Sequence, residues 1–293
     1  MRRGNELMKN AIDLHMHIGP SSTQDRSVDA FEAAKQASMV GMKAIVFKDH
    51  AFPTVDRAYF TNKYVKEWAE KEGCKPTESI GSIVLNYSVG GINADAVEHA
   101  AKLGAKVVWL PTLSASNHLR MKGQEGGISI IDSKGEPTMP LKEVLQKVGE
   151  YNLLLGSGHI TTDEIFVLLD EAKRAHIDKV LIDHPSEYGT PIDSLKEMTK
   201  KGAVIGVYAA VVMPFVSASL ARSAIDEFAE IPSIIWELGE DHIILASDLG
   251  QYYNPDPVNG LRLFVINLLT LGISDESIKD MVIKTPARLL GLE

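Results

Sequence analysis

Short, nearly continuous apolar runs recur along the chain, at Ile12–His17, Lys43–Phe47, Ser79–Leu85, Lys106–Leu110, Leu153–Leu155, Lys179–Asp183, Ala203–Val207 and His242–Ala246. Between them lie longer stretches with apolar residues at three- and four-residue spacing, near 27–40, 56–72, 94–103, 141–151, 162–175, 192–201 and 217–238, with two more near 258–271 and 275–290. Gly41, Gly73, Gly104 and Gly202 mark the ends of four of them. Strands that are apolar on both faces and alternate with helices predict a parallel sheet covered on both sides. Eight such units in succession predict an α/β fold, a single (β/α)8 TIM barrel, rather than an open doubly wound sheet. A Gly-x-Gly-x-x-Gly turn after the first strand and a Gly-Lys-Ser/Thr phosphate loop are both missing, which removes the usual support for a nucleotide-binding open sheet. The reading is one domain over 1–293.

One stretch breaks the rhythm. Residues 111–140, after the fourth strand, are rich in Gly, Ser, Pro and Asn. Within them Ile128–Ile131 and Glu136–Met139 flank Asp-Ser-Lys-Gly, the pattern of a small hairpin. An excursion of this length in a compact domain is expected to be functional, as a lid insertion.

A length of 293 residues suits one large domain, since an eight-stranded barrel takes about 250. The net charge of −9 argues against nucleic acid or an anionic membrane as the main partner. The single cysteine, Cys74, rules out an intramolecular disulfide and fits a reducing compartment. The polar leader Met1–Asn10 has no apolar signal core, and the chain has no run of about 18 apolar residues. The expectation is a cytoplasmic protein acting on a small molecule, with homo-oligomerisation through barrel helices as a further expectation.

The chemistry gathers where the strands end. In Ala11-Ile-Asp-Leu-His-Met-His17 an extended backbone sends His15 and His17 to one side and Leu14 and Met16 to the other. His50 follows the second strand, His159 the fifth, His184 the sixth and Asp248 the eighth, while His118 lies on the insertion. In a (β/α)8 barrel these ends open on one face. His99, His176 and His242 fall elsewhere and read as structural or solvent-exposed. Imidazoles with one carboxylate form a donor set for a divalent cation, Zn²⁺ ahead of manganese, iron or nickel, with one or two ions bound.

His-x-His after strand one, His after strands five and six, and Ser-Asp after strand eight resemble the amidohydrolase superfamily of metal-dependent hydrolases. The tail Thr285-Pro-Ala-Arg-Leu-Leu-Gly-Leu292 is similar to an ending common in that superfamily. The resemblance implies that His15, His17 and Asp248 bind the more buried metal. It also implies that His159 and His184 complete a second metal site, or that one of them holds substrate. Members with two metals often bridge them with a carboxylated lysine or a glutamate at the end of strand four. Here that strand ends Trp109-Leu-Pro-Thr112, so Lys48 or His50 from strand two are the candidates for that place. Asp-Leu-His-Met-His followed by Lys-Asp-His also resembles the polymerase-and-histidinol-phosphatase family, which implies a phosphoesterase. A metal-dependent decarboxylase and a non-catalytic metal-binding barrel are the remaining alternatives.

The leading expectation is a hydrolase that activates water on the cation to cleave a C–N, ester or lactone bond. Asp248 is the expected proton acceptor and His184 the group that polarises the scissile oxygen. Asp13 either orders the histidine pair or makes a salt bridge at the rim. Lys48, His118 and Arg120 are the expected substrate contacts. With Arg26 and Lys122 on neighbouring loops, they suit an anionic substrate. Asn93 either caps a helix or offers its N-terminus to an anion.

Overall fold

Among the described residues nine strands are present in chain order: β1 (Ile12–His17), β2 (Ala44–Lys48), β3 (Glu78–Ile80), β4 (Ser82–Val84), β5 (Val107–Trp109), β6 (Leu154–Gly156), β7 (Val180–Ile182), β8 (Val204–Tyr208) and β9 (Ile243–Ala246). All but the first residue of β3 are buried, which is why the sequence shows continuous apolar runs rather than alternation. The computed structural model describes residues 2–185, 188–212 and 229–292.

The chain divides into two units. The first comprises Met1–Lys48, Asp56–Gly81 and Val207–Glu293, the second Asp49–Val55 and Ser82–Gly206. In the first unit β1, β2 and β3 are parallel neighbours in that order. The end of β9 is held to β1 on its other side, His17 donating its N–H to the Leu249 carbonyl (2.9 Å) and Asp248 donating to that of His15 (2.7 Å). In the second unit β4, β5, β6, β7 and β8 follow one another, all parallel.

Helices alternate with the strands as expected, with shifts at their ends that follow from capping. The helix expected from Ser27 runs Ala30–Val40, because Asp29 and Glu32 close a capping box and Gly41 ends it at φ 76°. The helix placed from 162 is capped by Thr161, which accepts from Glu164 N while Glu164 reaches back. Asn93 caps Ala94–Lys102 by accepting from Ala96 N at 3.2 Å, which settles its role. Pro232 predicts a break in the helix expected over 217–238, but residues 229–238 are helical through it, and the rest of that expected helix lies outside the described residues.

Two features differ from the sequence reading. The polar leader is a helix, Arg2–Met8. Gly4 lets it lie close to helix Pro257–Thr270, since a Cβ there would sit 2.6 Å from Ile266 Cγ1. The run read as one third strand is two, β3 and β4, parted at Gly81. Ser82 is taken up by Thr54, which receives its N–H on Oγ1 (2.9 Å) and donates its own N–H to the Ser82 carbonyl (2.9 Å).

The insertion has the expected hairpin, with Asp132 N–H to Glu136 O (2.8 Å) and Thr138 N–H to Ile130 O (2.9 Å), and an unexpected helix, Ser116–Met121. Its anchor is Glu164, which is only 4% exposed. That carboxylate accepts from Ser129 Oγ (2.6 Å), Ile130 N (3.0 Å), Thr161 N (2.9 Å) and Thr161 Oγ1 (2.9 Å). Glu164→Ala leaves these donors, the buried Ile130 N–H among them, unmatched and is expected to cost about 2–4 kcal/mol, read from urea denaturation. A loss below about 0.5 kcal/mol, the level of an ordinary surface change, would show that the insertion is held by other means.

Candidate metal centre

In the first unit, β1 carries His15 and His17 on one side, with ring centroids 5.4 Å apart. Both Nε2 atoms point at one atom, Asp248 Oδ1, at 3.1 and 3.0 Å. The two imidazoles are buried (0% and 2% side-chain exposure), and Asp248 is 15% exposed. Asp248 sits two residues past β9 with φ 48°, a left-handed backbone rare outside glycine. The next turn holds it there. A Cβ on Gly250, at φ 130°, would fall 1.9 Å from the His17 carbonyl oxygen, and Gln251 donates Nε2 to the Asp248 carbonyl at 2.8 Å.

Asp13 works on the backbone beneath this cluster. Its Oδ1 accepts from His15 N (3.1 Å) and Ser247 N (3.0 Å), while Ser247 Oγ donates to the His15 carbonyl (3.0 Å). Fully buried, Asp13 is not a rim residue. Burial raises its pKa to about 6, against the pull of the Ser247 and His15 hydrogen bonds. Tyr208 closes the cluster edge-on to His15, with centroids 4.7 Å apart.

Electrostatics keep the imidazoles neutral. Burial depresses His15 well below the usual histidine range, and the positive charge of Lys48 pushes the same way against Asp248. His17 is lowered chiefly by burial, with Arg26 and Lys48 adding to it and Asp248 opposing. Lys48, at the end of β2 and in register with His17, is 1% exposed. Neutral imidazole is the metal-binding form. Ligand atoms about 2.0–2.2 Å from one ion lie roughly 3 Å apart, the separation seen here between each Nε2 and Oδ1. Two nitrogens and one carboxylate oxygen, converging and buried, fit a divalent cation of the zinc class.

The second unit holds a second histidine group. His159, three residues past β6, has His118 (5.1 Å between centroids), His184 (5.3 Å) and His50 (6.2 Å) around it. The Nδ1 atoms of His159 and His118 are 3.2 Å apart. Asn86 clasps His50 in place, donating Nδ2 to the His50 carbonyl and to Thr112 Oγ1 (2.8 Å each), while Thr112 Oγ1 meets His50 Nδ1 at 2.8 Å. His184, like Asp248, follows its strand in the left-handed region, at φ 50°. Beside it Asp183 accepts from Gly158 N at 3.1 Å and donates its own N–H to Ser157 Oγ at 2.9 Å, tying the end of β7 to that of β6. Tyr188 stands 5.2 Å from the His159 ring, its hydroxyl 3.3 Å from His118 Nδ1.

The expected residues are thus sorted. His15, His17, Asp248 and Lys48 gather in the first unit; His50, His118, His159 and His184 gather in the second. Arg120 is not in the histidine group. It is exposed, and its Nη2 donates to Asn117 Oδ1 (2.7 Å), whose amide in turn supports the His159 carbonyl (3.2 Å). Asn86, Thr112, Asp183, Tyr188, Tyr208 and Ser247 were not foreseen as site residues. Of these only Asp183 and Ser247 carry a sequence signal, being next to His184 and Asp248. Among the described residues no helix is long and apolar enough to cross a membrane.

Three solved structures are similar to this chain in fold. An amidohydrolase from Pseudomonas aeruginosa superposes at a TM-score of 0.65 with 16% identity, covering 98% of each chain. A metallopeptidase described as a dipeptidase gives 0.64 at 12% identity, over 97% of this chain and 98% of that one. A lactonase from Listeria monocytogenes gives 0.58 at 14%, over 98% and 96%. At such identities the likeness establishes the fold alone, an α/β barrel. No curated protein matches the sequence. The family model that matches, over residues 10–206, is described as a family of unknown function, DUF6282, and the chain belongs to it.

Proposed function

We propose that this chain is a metal-dependent hydrolase of the amidohydrolase type, acting on a C–N, ester or lactone bond of a small molecule. The observation that carries the reading is the meeting of His15 Nε2 and His17 Nε2 at a single oxygen of Asp248, within a buried cluster of neutral imidazoles. The amidohydrolase, dipeptidase and lactonase of like fold support it.

His15, His17 and Asp248 are the proposed ligands of one divalent cation, with zinc first among the candidates. His159 and His184 are proposed as ligands of a second ion or as substrate contacts, with His50 as a reserve donor. When bound, such a cation acidifies water at neutral pH. Asp248 then accepts the proton of the attacking water and returns it to the leaving group. Its left-handed backbone, fixed by Gly250 and Gln251, holds the carboxylate in place for that transfer. His184 donates toward the developing oxyanion, and Lys48 and His118 contact the substrate.

Metal analysis of the purified protein tests the reading. At least one zinc-class ion per chain is expected, falling to trace levels in a His15→Ala, His17→Ala double variant with an unchanged circular dichroism spectrum. Protein free of stoichiometric metal after expression in zinc-supplemented medium would overturn it. Ester, lactone and amide substrates beside a generic phosphate ester then separate a hydrolase of this type from a phosphoesterase.

A further inference from the structure

We propose that the first unit carries a further binding site, a lysine-lined groove at the N-terminal ends of β1, β2 and β3. Its ligand is a small molecule held through a diphosphate or a phosphate group of similar charge.

The groove measures about 800 Å³, within the range of small-molecule sites. Lys9, Lys43 and Lys75 line it, each from a different connection. Lys9 follows helix Arg2–Met8, Lys43 precedes β2, and Lys75 lies between helix Val55–Glu72 and β3. The chain is acidic, with 39 Asp and Glu against 30 Lys and Arg. Yet among the described residues neither a carboxylate nor an arginine lines this groove. Among those residues, too, none of the three lysines is in an ion pair; Lys43 Nζ donates to the carbonyl of Leu292, which is neutral. The apolar side chains of Met39, Pro76 and Ile283 supply much of the remaining wall.

Backbone hydrogen bonds fix this wall. Asn10 donates its N–H to the Gly41 carbonyl (2.8 Å), and Lys43 donates to that of Ala11 (2.9 Å), which joins the first connection to the second. The third is joined to them by Glu78 N–H on the Lys43 carbonyl (3.0 Å), Thr77 N–H on Ser38 Oγ (2.9 Å) and Thr77 Oγ1 on the Met42 carbonyl (2.9 Å). Lys9 lies over the Gly41 turn, its Cγ 3.7 Å from where a Cβ on that glycine would stand. The three lysine stems therefore start from a frame that exists before any ligand arrives, which lowers the cost of binding one.

Three like charges lining one concavity without a counter-charge repel one another, and a multiply charged anion relieves that repulsion. A phosphate group carries close to two negative charges at neutral pH, and a carboxylate only one. Lysine binds phosphate as a point charge, whereas the planar carboxylate is matched best by the fork of arginine. The apolar part of the wall suits the body that carries the phosphate. This groove is separate from the metal centre: Asn10 and His15 lie toward opposite ends of β1, about 17 Å of strand apart. Its ligand is therefore distinct from a substrate that meets the metal.

Cys74, the single cysteine, lines the groove and is part-buried, which makes it a reporter of occupancy. Its alkylation by iodoacetamide, a neutral reagent, is timed on the protein as purified, at constant ionic strength, with increasing inorganic pyrophosphate and, separately, adenosine diphosphate. A Lys9→Gln, Lys75→Gln variant is treated likewise, beside a Lys66→Gln, Lys134→Gln control that loses the same charge at exposed positions elsewhere. Rates with and without anion are compared within each protein, so a change in the thiol's own reactivity drops out. At least one anion is expected to slow labelling threefold or more in wild type and control. The concentration giving half of that effect is expected to rise tenfold or more in Lys9→Gln, Lys75→Gln. Labelling unchanged by both anions up to about 10 mM overturns the proposal, as does an equal rise in the control, which would reveal only general charge attraction. Pyrophosphate also binds metal ions, so the wild type is measured again after treatment with chelator and dialysis. Protection retained there supports the groove, and protection lost overturns it.

Discussion

Asp248→Asn is expected to lower kcat by about 10²–10⁴-fold on any substrate the wild type turns over, while most of the metal stays bound. The carboxylate is assigned two tasks, and the substitution separates them. Asparagine keeps an oxygen near His15 and His17 and tolerates the left-handed backbone at this position, so the fold and the two imidazole ligands are retained. It is not a base at neutral pH, so the proton has no acceptor. Paired kcat and zinc measurements on wild type and variant read the two effects separately. Unchanged turnover in a variant that still holds zinc would remove Asp248 from the proton transfer. Loss of zinc together with activity would leave it as a ligand alone.

Gly250→Ala should be the most damaging small substitution in the first unit, costing about 3–5 kcal/mol. Two effects add. The backbone is at φ 130°, a conformation that side-chain-bearing residues rarely adopt, and the new methyl would lie 1.9 Å from the His17 carbonyl oxygen. That oxygen belongs to backbone held in β1, so it has no flexible way to retreat. Gly73→Ala is the control: its φ of 68° is also positive, yet no atom lies within 4 Å of the added carbon, so only the backbone strain of about 1 kcal/mol is expected. Urea denaturation of both variants gives the comparison. A loss for Gly250→Ala no larger than for Gly73→Ala would show that the close approach to His17 is not as described.

The strands were legible because both their faces are buried. A strand covered on two sides needs apolar residues at every position, and that continuity shows in the letters without knowledge of partners. Helix ends were legible to within a few residues where glycine closes them, and less so where a cap had to be picked from several polar candidates, as with Ser27 against Asp29. The break at Gly81 was not read out of Ser79–Leu85, because the partner that takes up Ser82 there is Thr54, 28 residues away. The leader helix was missed for a like reason. Its sequence has no helical stripe, and its place depends on the absence of a side chain at Gly4 opposite Ile266.

For the site, residue type and position at strand ends were enough to single out His15, His17 and Asp248 as candidates, because a metal needs nitrogen and oxygen donors on rigid supports. Their protonation was not written there. The depressed imidazoles come from burial and from the charges of Lys48 and, at His17, Arg26, which the fold brings near. The left-handed turns at His184 and Asp248 are also a property of the folded chain, as neither residue type announces that backbone. Arg120 shows the converse: a cation on a loop suits an anionic substrate on paper, but the fold turns it to Asn117. Sequence alone thus determined the alternation of strands and helices and which side chains could bind a metal, since both are local properties of residue type and spacing. The tertiary structure decided which of them share an oxygen, which are neutral and which cations stand beside them, since distance and burial are set by contacts between residues far apart along the chain.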